Sequence, residues 1–375
     1  MQYTEYELGE LLPFEQPTAY IVKSTDYSDA YATPVLTAGK SFILGKTNET
    51  DGIFDQLPVI IFDDFTTATQ FVNFRFKVKS SAMKILHINT DLVIPKYIFY
   101  RLQIIQFDHS THKRYWIQSY SKIKVLIPPL DEQFRIVAHI EELFSELDKA
   151  VDTLKTTKEQ LAVYRQAVLK NAFSCLPETV EMDKIADMID PQPSHRTPPE
   201  YKNGIPYIGV GDIDYQNKKI NFEDARKVSP EVLDEHLHRY TIHKGDFVMG
   251  KIGTIGKPYK IPDEQNYALS ANVILIQPSK EKIYPEFLFW QFSSSLVTKQ
   301  LTLGAKATSQ PAFGIKKARL LSIKICELEK QYKIIKRLEA EMSCCDNIEK
   351  TVDTALAQAD AMRQSILKQA FEGTM

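Results

Sequence analysis

Laid on itself at a shift of 198 residues, the chain pairs 127–173 with 325–371 without a gap, and sixteen of those 47 positions are identical. A repeat that long and ungapped is one structural unit used twice, which narrows the possible folds more than composition does. The first copy begins IPPLDEQFRIVAHIEELF and ends YRQAVLKNAF; the second begins ICELEKQYKIIKRLEAEM and ends MRQSILKQAF. Leu130 matches Leu328, Gln133 matches Gln331, Arg165 matches Arg363 and Phe173 matches Phe371.

Apolar residues in the first copy recur at Phe134, Val137, Ile140, Phe144, Leu147, Val151, Leu154, Leu161 and Val168. The second answers with Tyr332, Ile335, Leu338, Met342, Cys345, Val352, Ala359, Met362 and Ile366. Steps of three, four or their sums place such residues on one helical face. Neither copy has Gly or Pro between its opening and its last turn, so each is predicted to run as one helix of about 40 residues, roughly 60 Å at 1.5 Å per residue. So long a seam must be buried, and the nearest partner is the other copy. The expectation is an intramolecular antiparallel coiled coil.

Pro128-Pro129 and Leu176-Pro177 punctuate the two ends of the first copy. The predicted division is a mixed domain over 1–126, a long helix over 127–177, a second mixed domain over 178–324 and a second long helix over 325–375. In the mixed segments PVIIFDD (58–64) and GDFVMG (245–250) read as buried strands, and PKYIFYRLQ (95–103) and PEFLFWQF (285–292) as short aromatic helices. Ser81-Ala82 and Ser270-Ala271 recur in the same order between them. The fold class expected is α+β: two copies of one mixed α/β domain, joined by two long antiparallel helices in a pseudo-twofold repeat. Duplex DNA has local twofold axes, and proteins of matched symmetry read two half-sites.

A formal charge of -2 argues against a chain that grips nucleic acid unaided, because phosphate contact comes from a basic surface. Segment 1–126 has 13 basic and 13 acidic residues, 178–324 has 20 and 18, and the helical segments are each -2. The slightly acidic helices suit protein partners better than DNA. Cys175, Cys326, Cys344 and Cys345 lack CxxC spacing, and buried free thiols are expected rather than a zinc site. Acidic residues in MQYTEYELGELL and no stretch near the roughly 18 apolar residues of a membrane span point to a cytoplasmic protein.

The helical repeat with its PPLDEQFRIV opening resembles the specificity subunits of Type I restriction-modification enzymes, and the likeness covers nearly the whole chain. The second mixed segment adds PSHRTPPEY (193–201), HRYTIHKGDFVMGKIGTIGKP (238–258), LSANVILIQP (269–278) and ATSQPAFGIKKARLL (307–321). LTAGKSFILGKTNETDG and VIIFDDFTTATQFVNFRFKVKSSAMKIL carry it in the first. The second helix departs from the family pattern, opening ICELEKQ where a PPL-like run is common. The resemblance implies that each mixed domain is a target recognition domain reading half of a bipartite, gapped DNA site. It implies helices that fix the gap and dock two methyltransferase subunits, and a complex that recruits a translocating endonuclease. The chain itself would be non-catalytic, with S-adenosylmethionine, ATP and Mg belonging to the partner subunits. Residues identical in both helical copies, Gln133, Arg165, Phe173, Gln331, Arg363 and Phe371, are the expected partner contacts.

Reading base edges takes donors on loops that can enter a groove. In the second domain the candidates are His195, Arg196, Lys251, Thr254, Lys257, Ser309 and Gln310, with Lys316, Lys317 and Arg319 as a phosphate-contacting cluster. In the first they are Lys40, Lys46, Asn48, Thr66, Thr67, Thr69, Lys79 and Ser80. For each of these, a solvated loop or turn residue is the bland alternative.

Several enzyme-like patterns fail on inspection. Glu200-Tyr201-Lys202 with Asp190 mimics a metal-dependent nuclease, but Pro191, Pro193, Pro198 and Pro199 favour an extended loop where that site needs a paired strand. GKIGTIGKP (250–258) lacks the spacing of a phosphate loop and has Pro258 where Ser or Thr is needed, so it reads as a turn between strands. Thr197-Pro198-Pro199-Glu200 lacks the Asn or acid that a base methyltransferase places before its prolines. Asp63-Asp64 reads as a pair of exposed strand-end acids and turn formers, and His109, His112, His236 and His238 as surface or capping residues. The competing function is a coiled-coil scaffold joining two protein-binding domains, or an inactive variant copy of the specificity subunit.

Overall fold

The computed structural model describes residues 3–37, 41–108, 114–215, 217–305 and 312–372. Each repeat copy folds as one α-helix, Leu130–Ser174 and Leu328–Glu372. Both are 45 residues long, somewhat longer than the periodicity predicts, and they are offset by the same 198 positions as the sequence repeat. The departure at ICELEKQ therefore leaves the register of the second helix unchanged. Asp131 and Glu132 sit in the first turn of the first helix, where carboxylates oppose the partial positive charge of the helix N-terminus.

The chain divides into two compact units, residues 1–154 with 353–375 and residues 155–352, so each long helix contributes to both. In the first unit Ile140 and Phe144 cluster with Ile366, Leu367 and Ala370, and Arg363 pairs with Asp148. In the second, Leu169 and Phe173 cluster with Ile335, Leu338 and Met342, and Arg165 pairs with Asp346 at 2.8 Å and Glu349 at 2.7 Å. Within each unit rising numbers on the first helix meet falling numbers on the second, so the segments are antiparallel. Three seam residues expected from the periodicity lie outside it: Phe134, Tyr332 and Met362 are 61%, 51% and 55% exposed. Val137 and Ile335, three residues on from the first two and also expected in the seam, are buried.

The mixed regions repeat their two main sheets, and the second adds a short hairpin, Ile213–Asp214 with Lys219–Ile220. In the first unit a four-stranded sheet has the order Phe14–Glu15, Met83–His87, Val59–Asp63, Thr69–Val72; in the second the order is Ala186–Ile189, Val273–Pro278, Phe247–Gly250, Pro258–Lys260. Three-stranded sheets run Ile43–Thr47, Thr33–Leu36, Lys77–Val78 and Lys227–Val228, Ile205–Ile208, Ala268–Leu269. In both, the central strand pairs parallel with the strand that follows the hairpin of the larger sheet. A two-stranded ribbon, Lys124–Ile127 on Thr4–Glu7 or Ser322–Ile325 on Glu178–Glu181, leads into each long helix.

One buried amide ties each ribbon and long helix to its aromatic helix. Gln133 is fully buried; its Oε1 accepts from the Ile94 amide at 2.8 Å, and its Nε2 donates to the carbonyls of Leu92 and Pro128 at 3.0 and 2.9 Å. Gln331 is equally buried and does the same with the Tyr284 amide at 3.0 Å and the carbonyls of Lys282 and Cys326 at 3.2 and 2.8 Å. The aromatic helices, Pro95–Leu102 and Pro285–Phe292, thus start where a glutamine from the long helix meets the backbone just before them.

The structure corrects several expectations. Only Cys345 is a buried thiol; Cys175 and Cys344 are exposed and Cys326 is half-buried. Asp63 and Asp64 are buried, Asp63 accepting from the Phe65 amide and the Thr66 hydroxyl and Asp64 accepting from the Trp116 amide and pairing with buried Lys84. His109 and His112 lie outside the described residues. No helix among the described residues is long and apolar enough to cross a membrane.

Candidate nucleic-acid interface

In the second unit three loops meet at Lys251. This residue follows the strand Phe247–Gly250, and its ammonium lies 2.6 Å from the Asp190 carboxylate and 3.4 Å from His195 Nδ1. Its backbone carbonyl accepts from the Phe313 amide at 2.9 Å, which brings in the segment ahead of the short helix Ile315–Arg319. A cleft of about 290 Å³ opens between them, lined by Asp190, His195, Lys251, Lys316 and Lys317. Lys251 was expected as a free donor; it is buried and paired, so its charge holds the loop of Asp190 and His195 in place.

His195 itself takes a left-handed backbone with φ of 54°, a conformation His tolerates better than most residues. Its amide donates to the Gln192 carbonyl at 3.0 Å, and the Gln192 side chain donates to the Arg196 carbonyl at 3.2 Å. A second cleft, about 410 Å³, shares His195 and adds Thr197, Tyr207, Arg226, Ser270 and Asn272. Arg226 and Asn272 are base-edge-competent side chains that sequence reasoning missed; the recurring Ser-Ala beside Asn272 was the available signal. Arg196 is exposed beside His195, and Arg319 is drawn back by a hydrogen bond to the Met188 carbonyl at 3.2 Å. Thr254 and Lys257 line a different cleft, where Lys257 lies 4.2 Å from the centre of the Tyr215 ring. Gly250 and Gly256 shape this turn: a Cβ on Gly250 would stand 1.7 Å from the Thr254 carbonyl oxygen, and Gly256 has φ of 74°. Ser309 and Gln310 lie outside the described residues.

The loop of His195 rests on a buried histidine. His236 is not a surface or capping residue: it is fully buried, with Nδ1 2.8 Å from the Tyr240 hydroxyl and Nε2 3.1 Å from Gln192 Oε1. Burial pushes its pKa down from 6.5 to about 4, so the folded unit holds it neutral where the unfolded chain takes up a proton. Stability from this group is complete above pH 6.5 and falls as pH drops toward 4, a loss on the order of 3 kcal/mol. Urea unfolding of the His236→Gln variant is expected to show a markedly flatter pH dependence over that window; an unchanged slope would assign the acid sensitivity to other groups.

In the first unit the expected residues separate into two groups. Lys46 lies on the strand Ile43–Thr47, Asn48 follows it, and Lys79 and Ser80 follow the strand Lys77–Val78 of the same sheet. Lys79 Nζ is 3.4 Å from the Tyr27 hydroxyl. Thr66 and Thr67 form the turn of the larger sheet, and Thr69 is buried, its hydroxyl accepting from the Gln103 side-chain nitrogen Nε2. Lys40 lies outside the described residues. Among the described residues no group of three or more His, Cys, Asp or Glu could hold a metal ion.

The residues expected to meet partners are largely engaged within their own units. Gln133, Gln331 and Phe173 are buried, Phe371 packs on Tyr97 at a ring separation of 5.2 Å, and Arg165 and Arg363 carry the ion pairs described above. Their identity between copies follows from intrachain packing.

A duplicated α/β domain, each copy carried on a long helix that contributes to both units, defines a narrow class. Residues 177–358 match the family described as the Type I restriction modification DNA specificity domain, in agreement with the resemblance drawn from the helical repeat. The chain is 45% identical over 174 residues to the Type I restriction enzyme EcoR124I/EcoR124II specificity subunit of Escherichia coli, covering 43% of each chain. It is 26% identical over 276 residues to the EcoBI specificity subunit of Escherichia coli, covering 66% of this chain and 58% of that one. These matches span about half the length of the curated relatives. A solved chain from a study of complex assembly in the type I R-M system has the same fold, with a TM-score of 0.68, 16% identity and coverage of 98% and 97%.

Proposed function

We propose that the chain is a Type I specificity subunit that reads a bipartite, gapped DNA site, one half with each unit, and has no catalytic centre of its own. One observation carries the reading: the domain matched as a DNA specificity domain recurs in the first unit with the same sheet orders and the same buried glutamine contacts. Two methyltransferase subunits and an endonuclease/translocase would supply the chemistry, adenine methylation and restriction, together with S-adenosylmethionine, ATP and Mg. They would also supply phosphate contacts, which answers the near-neutral charge of this chain. The long helices set the unread gap, so inserting four residues into both, near Thr156 and Thr354, changes the spacer and leaves the half-sites as they are.

The test is to co-express the chain with the methyltransferase of the same system and map methylated adenines across the host genome. A two-part gapped motif that disappears with this gene is expected. An unchanged pattern from an assembled complex would move the assignment to a scaffold or an inactive copy.

A further inference from the structure

The cleft that His195 shares with Tyr207, Arg226 and Asn272 is built from one sheet and one turn of the second unit. Tyr207 lies on the central strand Ile205–Ile208, where its amide donates to the Arg226 carbonyl at 2.8 Å and so sets Arg226 beside it. On the other edge the Ser270 amide donates to the Ile208 carbonyl at 2.8 Å, which brings Asn272 to the same cleft. Tyr207 is 5% exposed, yet its hydroxyl proton has no acceptor among the described residues, the Ala271 amide beside it being itself a donor. Burial pushes the Tyr207 pKa up and keeps the hydroxyl protonated. A buried donor without an acceptor is costly, and a ligand that supplies one removes the cost.

The other polar groups of the cleft are fixed in their roles. Asn272 Oδ1 accepts from the Val210 amide at 3.1 Å and from the Ser270 hydroxyl. The amide can only donate, so the oxygen is engaged and the NH2 group is left to the cleft. Arg226 is exposed, and its guanidinium has no ion pair or hydrogen bond among the described residues. Asp212 gives one carboxylate oxygen to the Gly209 amide at 2.7 Å, and the other has no partner among the described residues. Gly209 makes this possible, since a Cβ there would stand 2.6 Å from Ser270 Oγ and 2.7 Å from Asn272 Oδ1.

We propose that this cleft reads one G·C base pair through its major-groove edge, with Arg226, Asn272 and Tyr207 donating to guanine N7 and O6 and Asp212 accepting from the cytosine amino group. The inference rests on the specificity reading and deepens it. A G·C pair sets two adjacent acceptors beside a donor, whereas an A·T pair sets a donor between two acceptors. A carboxamide reads adenine with its oxygen and nitrogen together, and the Asn272 oxygen is already engaged. A backbone phosphate offers acceptors alone and is repelled by Asp212. The first unit lacks the arrangement: its strand Thr33–Leu36 pairs as Ile205–Ile208 does, and puts Val35 and Gly45 where the second has Tyr207 and Arg226. Shared architecture with these donors in one copy suits two different half-sites.

The test uses the full chain in complex with its methyltransferase and duplexes carrying the mapped motif. Each base pair is replaced in turn, and each guanine by 7-deazaguanine, which lacks the N7 acceptor and keeps its pairing. One guanine is expected to cost the parent roughly tenfold or more in affinity on either change, and to cost the Arg226→Ala variant several-fold less. Because Arg226 is exposed, that variant is expected to melt within about 2 °C of the parent. Gly209→Ala, which displaces Asn272, is expected to relax the same position. If Arg226→Ala weakens every duplex alike and lowers the salt slope by about one, the group is a phosphate contact and the base-pair assignment fails. If no guanine of the motif responds to Arg226→Ala, the cleft does not read DNA. A parent complex that binds all duplexes equally would overturn the specificity reading itself.

Discussion

Replacing Gln331 by leucine is expected to lower the melting temperature of the second unit by roughly 6–12 °C. The substitution leaves the Tyr284 amide and the carbonyls of Lys282 and Cys326 without their partner at a fully buried position. Each orphaned backbone group costs about 1–3 kcal/mol, less where water reaches it, so a total of about 3 kcal/mol is a cautious sum. At about 2–4 °C per kcal/mol for a domain of this size, the shift is large enough for calorimetry. Gln133→Leu should do the same to the first unit through Ile94, Leu92 and Pro128. Since the repeat makes these contacts equivalent, a shift below about 2 °C in both variants would show that the glutamines are not the fasteners described here.

The second large effect is expected from Lys251→Met. Lys251 and Asp190 are 9% and 14% exposed and 2.6 Å apart, and removing one partner of a buried pair strands the other charge. Fully buried pairs lose about 3–5 kcal/mol in this way, and the residual exposure reduces that to about 2–4 kcal/mol. The loop carrying His195 and Arg196 loses its anchor at the same time, so under the proposed function methylation mapping should show relaxed recognition at the half-site assigned to the second unit and an unchanged first half-site. Adding Asp190→Asn to Lys251→Met removes the stranded carboxylate and should recover most of the lost stability. If the double variant is no more stable than the single one, the ion pair is not what holds the loop.

Much of the architecture was legible because it is written in local signals. A seam repeating every three or four residues over 45 positions, with no Gly or Pro, leaves no reading but a long helix, and the offset of 198 makes it two. Aromatic helices led by Pro95 and Pro285 were visible for the same reason. The strands Lys77–Val78 and Ala268–Leu269 were not, because two residues carry no periodicity, and their parallel pairing comes from contacts some 40 to 60 positions away.

The candidate interface was half legible. Residue type pointed to Lys251 and His195, but the burial of Lys251 depends on Asp190, 61 positions away, and no local pattern announces that. Arg226 and Asn272 share a cleft with His195 only after three loops have folded together.

By itself the sequence determined that the chain is duplicated, that each copy ends in a long helix, and which positions the copies share. Only the tertiary structure decided what those shared positions do: Gln133 and Gln331 turned out to be internal fasteners, while exposed Ser145 and Gln364 were left facing a cleft. Periodicity is a property of neighbours along the chain, and it survives in the bare sequence. Burial and pairing belong to residues that meet only when distant segments close on one another.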